Sequence, residues 1–364
     1  MNKIIFSLLI IVFLLKTGNV FSNINIFHVD NIVVDTKGNL NKEQLLNNAF
    51  RKGFDKLVKK ILLKKDQDLV LSTSNDDIKK MISNYQIYSN DNFNKNEFKI
   101  NLSFDRQRMN NFFSLKGISY ADLSKTSLLL FPVLVEKDNF YLFSNNYFYK
   151  NWNIKNDEKE KENEFVEYIM PIENLEYVQI IQQNKNSLET IDLNKLLSDY
   201  NVKNYVFLVI RPLKEKTNIF LKANISENNI VKNFQVINSL DVDRISNFGK
   251  IRENIKREIV EILKSQNLID IRTPSFLNIF VDIKKQDDLL KTRSILKKIK
   301  LIENFYVLEL NKNYAKVKIK YFGKLEKIKN KFDEMGIELK NSDNQWKVFT
   351  HGGRNNTEID AIEF

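Results

Sequence analysis

An imidazole is the commonest general base at neutral pH, and the chain has two, His28 and His351, at opposite ends of its 364 residues. His28 lies in an alternating apolar stretch and His351 beside a glycine pair, so a strand or surface role outweighs a catalytic one for each. Gly117, Ser119 and Ala121 approximate the G-x-S-x-G elbow of serine hydrolases. That elbow needs a strand before the serine and a helix after it, whereas here a helical pattern precedes and a strand pattern follows. Asp66 and Asp68 echo a calcium loop but lack its Gly and closing Glu, and Asp241 with Asp243 suits the approach to a helix. Gly352 and Gly353 are the only adjacent glycines, so there is no Gly-rich phosphate loop, and the absence of Cys removes disulfides, thiol nucleophiles and cysteine-ligated zinc. These residues offer no catalytic group, no cofactor-binding group and no metal ligand set.

Binding is the remaining chemistry. The stretch "LLLFPVLVEKDNFYLFSNNYFYKNW" (128–152) ends on one of two tryptophans. Tyr141, Phe143, Tyr147, Phe148, Tyr149 and Trp152 have the faces to line a sugar or peptide groove, with Glu136 and Asp138 as the carboxylates a glycan hydrolase would need. The competing reading makes Leu128 to Val135 a strand buried on both faces, with the aromatics packed beneath it. Core is the stronger reading, and it leaves Tyr147, Tyr149 and Trp152 as a candidate interaction surface at the edge. Lys56, Lys59, Lys60 and Lys64 crowd one helical stretch and would suit an anionic polymer or lipid surface. The formal charge of +11 points the same way, but Lys, Asn and Ile are abundant throughout and form no concentrated stripe. No nucleic-acid partner is expected.

The elements that must carry these residues follow from periodicity. Asn25 to Asp35 alternates as a strand. Leu45, Ala49, Phe50, Phe54, Leu57, Val58 and Ile61 recur at helical spacing, and Asp76 and Asp77 open a second helix bearing Ile78, Met81, Ile82 and Tyr85. Phe98 to Phe104 alternates as a strand, and "DRQRMNNFFSLKG" is a helix stopped at Gly117. Strands at 127–135 and 205–210, a hairpin of 218–225 with 230–237, and a helix from Ser246 to Lys264 make a central α/β layer. From Leu277 onward the order is β-α-β-β-α-β, the ferredoxin-like arrangement, closing on a strand at Trp346 to Phe349. The fold class is thus α+β or α/β and multidomain. Its expected parts are a signal peptide (1–22), an N-terminal α+β domain (23–122), a central α/β domain (123–270), a ferredoxin-like domain (271–350) and a flexible tail (351–364).

Compartment rests on the first residues. Lys3, the apolar run Ile4 to Leu15, and small residues at Val20 and Ser22 form a cleavable secretory signal. The run is short of the roughly 20 apolar residues a bilayer crossing needs, so no stable span is expected after cleavage; an uncleaved leader tethering the chain to the inner membrane is the alternative.

"LLLFPVL", "LFSNNYFYKNW", "YIMPIENLEYVQI" and "LLSDYNVKNYVFLV", with the upstream "INLSFDRQRMNNFFSLKGI", resemble the exported proteobacterial family catalogued as domain of unknown function two-zero-six-six. The likeness covers most of residues 25–310. It departs at "NYFYKNW", where the family usually has a Pro-Trp-Arg type sequence. The resemblance implies a periplasmic protein of a Gram-negative envelope and carries no catalytic residues. The expectation is a non-enzymatic interaction or assembly factor with envelope proteins as partners. Its alternatives are a cell-wall glycan binder or hydrolase built around Trp152, and a binder of anionic polymers or lipid surfaces.

Overall fold

The computed structural model describes residues 26–36, 41–88, 97–123, 125–154, 166–197, 199–200, 202–239, 241–283, 287–299, 301–342 and 345–350. The expected signal peptide, the charged run at 156–164, His351 and the expected tail lie outside them. Among the described residues the chain is a mixed α/β protein of ten α-helices and four sheets, and no helix is long and apolar enough to cross a membrane.

The first unit comprises β1 (His28–Asp35), α1 (Lys42–Ile61), α2 (Lys64–Leu71), α3 (Asn75–Met81), β2 (Ile82–Tyr88), β3 (Glu97–Phe104), α4 (Arg106–Leu115) and β4 (Tyr120–Ala121). Asn41 and Gln44 close a capping box at the start of α1, satisfying two of the amides a helix N-terminus leaves orphaned. The apolar stripe of α1 packs on a three-stranded sheet ordered β1-β3-β2. The second helix is shorter than its periodicity predicts: it stops at Met81, and Ile82 and Tyr85 belong to β2, paired antiparallel with β3. Five or six residues fit either a helical or an alternating template, and pairing with β3 decides between them. At the other edge, Lys52, Lys56 and Lys60, one helical turn apart on α1, donate from Nζ to the β1 carbonyls of Val33, Asp30 and His28. Charged side chains laid on an edge strand discourage pairing with another chain.

The central unit comprises β5 (Thr126–Glu136), β6 (Asn139–Tyr141), α5 (Tyr147–Asn151), β7 (Val166–Ile169), α6 (Leu175–Gln183), α7 (Asn194–Leu197), β8 (Tyr205–Pro212), β9 (Lys216–Ile225), β10 (Asn228–Ile237), α8 (Arg244–Gln266) and β11 (Leu268–Ile269). β5 lies inside a six-stranded sheet, parallel to β7 and β8. Leu128, Leu130 and Leu134 bury against the α8 side, and Phe131 and Val133 against the layer of Tyr177, Ile181 and Leu196, which explains the unbroken apolar run. The β9–β10 hairpin turns at Ser226 and Glu227, both at positive φ, the twist-compatible geometry for a two-residue loop.

The C-terminal unit comprises β12 (Ser275–Asp282), α9 (Asp288–Lys298), β13 (Ile302–Leu310), β14 (Tyr314–Tyr321), α10 (Leu325–Glu334), β15 (Ile337–Ser342) and β16 (Gln345–Thr350). The order agrees with expectation through α10 and then departs from β-α-β-β-α-β by one strand. β15 pairs antiparallel with β16, which is inserted parallel to β12, giving the order β13-β14-β12-β16-β15. β15 escaped the sequence pattern because only Ile337 and Leu339 alternate before "KNS". β4 pairs with β11, and one hydrophobic cluster runs from Phe27 and Phe104 to Ile269, Ile279 and Ile328. The first and last units therefore share a core.

Between β11 and β12, Asp270 accepts from the backbone N–H and guanidinium of Arg272 and from the Thr273 hydroxyl, and the Arg272 side chain holds its pKa down at about 2. A carboxylate held below its unfolded value stabilises the fold above that value, near pH 4, and loses the contribution as pH falls through the folded value. In acid titrations of the intact chain and Asp270→Asn, the stability gap is expected to be full above about pH 4 and to vanish near pH 2. This exposed pair warrants a gap below about 1 kcal/mol.

Candidate functional site

The aromatic segment is held from both ends. Asn146, fully buried, donates from Nδ2 to the carbonyls of Pro132 and Tyr141, and its Oδ1 accepts from the Phe148 amide to cap α5. At the last residue of α5, the buried Arg252 guanidinium donates to the Asn151 carbonyl. Trp152 is therefore turned inward: it is 0% exposed and meets the Tyr168 ring edge-on at 5.5 Å. The surface expected at Tyr147, Tyr149 and Trp152 is corrected at that point, because Trp152 has no face open for stacking. Tyr147 is half-buried against Phe148 and Phe248, and Tyr149 is half-buried and donates to the Pro171 carbonyl. Glu136 pairs with Arg244, and Asp138 is exposed in the following turn.

The other singled-out residues have structural employment. His28 sits between Ser103 Oγ and Asp30 Oδ1, each at 2.7 Å. Asp243 accepts from the amides of Ile245 and Ser246 and from the Ser246 hydroxyl, caps α8, and has its pKa lowered by those bonds. Gly117 takes φ +67° after α4, where β-carbon sterics favour glycine, and Ser119 is followed by β4, so the elbow context is reversed. Lys56 and Lys60 lie along β1 as above, and the Lys64 amide donates to Glu261. The lysine stripe of α1 is thus partly spent inside the unit.

A different site emerges where α1 and β2 diverge. Tyr85 is registered opposite Leu102, and Ile87 opposite Ile100, so both share the core face of the sheet. α1 covers that face over β1 and β3 and leaves β2 open, with Tyr85 44% and Ile87 47% exposed. Phe50 meets Tyr85 edge-on at 5.4 Å. The result is a groove of about 680 Å³ with Leu46, Phe50, Ile82 and Tyr85 on its walls and Lys42 and Lys79 among its polar lining. β2 is also the sheet's second edge, and Tyr88 beyond the groove is 47% exposed. Apolar side chains beside unpaired strand groups can take an extended peptide as an added strand. Sequence reasoning missed the site because it read Tyr85 as helical.

No family model matches the chain. A solved structure described as "Crystal structure of uncharacterized protein" is 10% identical, covers 40% of this chain and 94% of its own, and superposes at a TM-score of 0.17, a likeness too loose to inform fold or function.

Among the described residues Trp152 Nε1 is buried with no hydrogen-bond partner, and an orphaned buried donor costs about 1–3 kcal/mol. Trp152→Phe removes that donor and should leave the denaturation midpoint unchanged or raised, whereas Trp152→Ala should cost about 3–5 kcal/mol. Urea titrations check both; a severe loss in the Phe variant would contradict the packing described.

Proposed function

We propose that the chain is an exported, non-enzymatic envelope protein that works by contact, receiving an extended apolar segment of an envelope partner on β2 and in the groove beside it. The observation that carries this reading is the open groove itself, where Tyr85 and Ile87 continue the core face past the reach of α1. Two edges of one small sheet are treated in opposite ways: three lysines lie along β1, and apolar side chains stand along β2. A protein avoiding all edge pairing would guard both.

Location follows from the leader pattern, with processing after Ser22 and residence in the periplasm, and an uncleaved tether as the alternative. Membership in the family catalogued as domain of unknown function two-zero-six-six rests on the segments quoted above, chiefly β5, α5, β7 and β8 with their Pro and Trp positions. The C-terminal unit is read as a ferredoxin-like layer extended by the β15–β16 hairpin. A glycan-binding role would need another surface than Trp152, and an anionic-polymer role would need lysines other than those on β1.

Site-specific photocrosslinkers at Ile87 and Tyr88, with exposed Leu115 as control, test the proposal in cells. The expected outcome is a chain lacking 1–22 in the periplasmic fraction, with one discrete adduct from the β2 positions and none from Leu115. An intact leader in the cytoplasm, or equal adduct patterns at all three positions, would overturn it.

A further inference from the structure

β13 is an outer strand of the C-terminal sheet and pairs only with β14 among the described residues. Its nine residues include no Lys or Pro, the types that most often guard an open edge. Tyr306, Val307, Leu308 and Leu310 are 50%, 49%, 53% and 58% exposed. Phe305 and Val307 stand opposite the buried Ile319 and Val317, on the face that carries the core, and Tyr306 opposite Lys318 stands on the other. Both faces of this edge are therefore apolar where they end.

The backbone of β13 has a regular direction to offer. Bonded and non-bonded pairs alternate along an antiparallel ladder. At one end of β13 the Phe322 amide donates to the Leu301 carbonyl, and at the other the Asn311 amide donates to the Tyr314 carbonyl, both at 3.0 Å. Counting inward from either end gives one answer: Tyr306 turns its N–H and C=O to β14, while Phe305 and Val307 turn theirs to the open side. The register shifts between Ile302 and Asn304 and again between Val307 and Glu309, so Glu303 with Asn304, and Leu308 with Glu309, each oppose a single residue of β14. Bulges normally spoil an edge for a regular strand. These two lie at equal distances from Tyr306, which makes the strand symmetric about that residue.

Symmetry of this kind fits a second copy of the same strand. With Tyr306 on a two-fold axis and the strands antiparallel, Phe305 faces the partner's Val307 and Val307 faces the partner's Phe305. The backbone groups left open on each strand then satisfy each other, and the core face continues across the seam. Farther out Ile302 meets Leu310 of the partner subunit, and bulge meets bulge. Glu303 comes opposite the partner's Glu309, a like-charge contact that each sheet offsets from within: Lys320 binds Glu303 at 2.7 Å, and Lys316 lies opposite Glu309. A foreign regular strand would meet both bulges out of step. Two-fold pairing also uses up the edge in each copy, so the assembly closes.

We infer that two copies of the chain join through β13, antiparallel about Tyr306, so that their five-stranded C-terminal sheets become one continuous sheet. This dimer does not use the β2 edge and does not rest on the groove beside it.

The chain has no Cys, so single introduced cysteines report the pairing. On the axis, Tyr306→Cys places two Cα atoms about 4.5 Å apart, inside the roughly 4.4–6.8 Å that a disulfide spans. Leu310→Cys places them roughly 26 Å apart at about 3.3 Å per residue. Sedimentation of the full chain should show a monomer–dimer equilibrium, and mild oxidation should link Tyr306→Cys into a dimer many-fold faster than Leu310→Cys. Val307→Pro removes a donor on the open side and no bond to β14, so it should weaken the dimer several-fold while circular dichroism stays that of the parent. Val307→Lys keeps the backbone intact, places a charge at the seam, and should weaken the dimer likewise. A chain still monomeric at roughly 100 µM, equal linkage of the two cysteine variants, or a dimer unaffected by both Val307 substitutions would overturn the inference.

Discussion

One buried ammonium fixes how the first unit meets the central one. Lys264, 3% exposed on α8, donates to the carbonyls of Lys59 and Leu62 at the C-terminal end of α1, at 2.7 and 2.9 Å. A helix end leaves its last carbonyls without partners and carries partial negative charge, so a cation there satisfies both needs. Glu261, one turn back on α8, binds Lys264 through one oxygen and the Lys64 amide through the other, which fixes the start of α2. Burial pulls the Lys264 pKa down despite Glu261: desolvation outweighs the ion pair, and the backbone carbonyls are what make the position worth occupying.

The angle set at that corner propagates. α1 is anchored at its C-terminal end and lies over β1 and β3, with its lysines along the β1 edge, so β2 is left beyond its cover. The groove is thus a remainder of the way α1 is fixed. On the far side the β4–β11 pair joins the first and central units again, and the Lys327 ammonium of α10, which donates to the Asp122 carbonyl, ties the C-terminal unit to the same seam. Burial lowers the Lys327 pKa as well, so two desolvated lysines mark the two joints.

Much of this was legible in the sequence where a pattern has one solution. β5 reads as a run buried on both faces, α1 as a long stripe, β9 and β10 as a hairpin, and β12 to α10 as alternating modules. What was illegible depended on partners remote in sequence. β2 became a strand because β3 lies beside it. β15 is too short to show a period and exists through its pairing with β16. The α1 lysines look like a solvated face until β1 is known to be an edge. Trp152 looks like a platform until Asn146 and Arg252 are seen to turn its segment inward. The groove had no signal of its own, since its β2 wall consists of residues whose helical and strand readings conflict.

The central claim is that the Lys264 contact holds α1 and α2 in the orientation that leaves β2 uncovered. Native-state hydrogen exchange on Lys264→Met tests it most directly, because the variant keeps the volume and removes the donors. The account predicts that amides in the last turn of α1 and the first turn of α2 exchange about tenfold faster or more, about 1.4 kcal/mol or above, while β5 and β8 keep their protection. Unchanged exchange at Leu62 and Lys64 would contradict it.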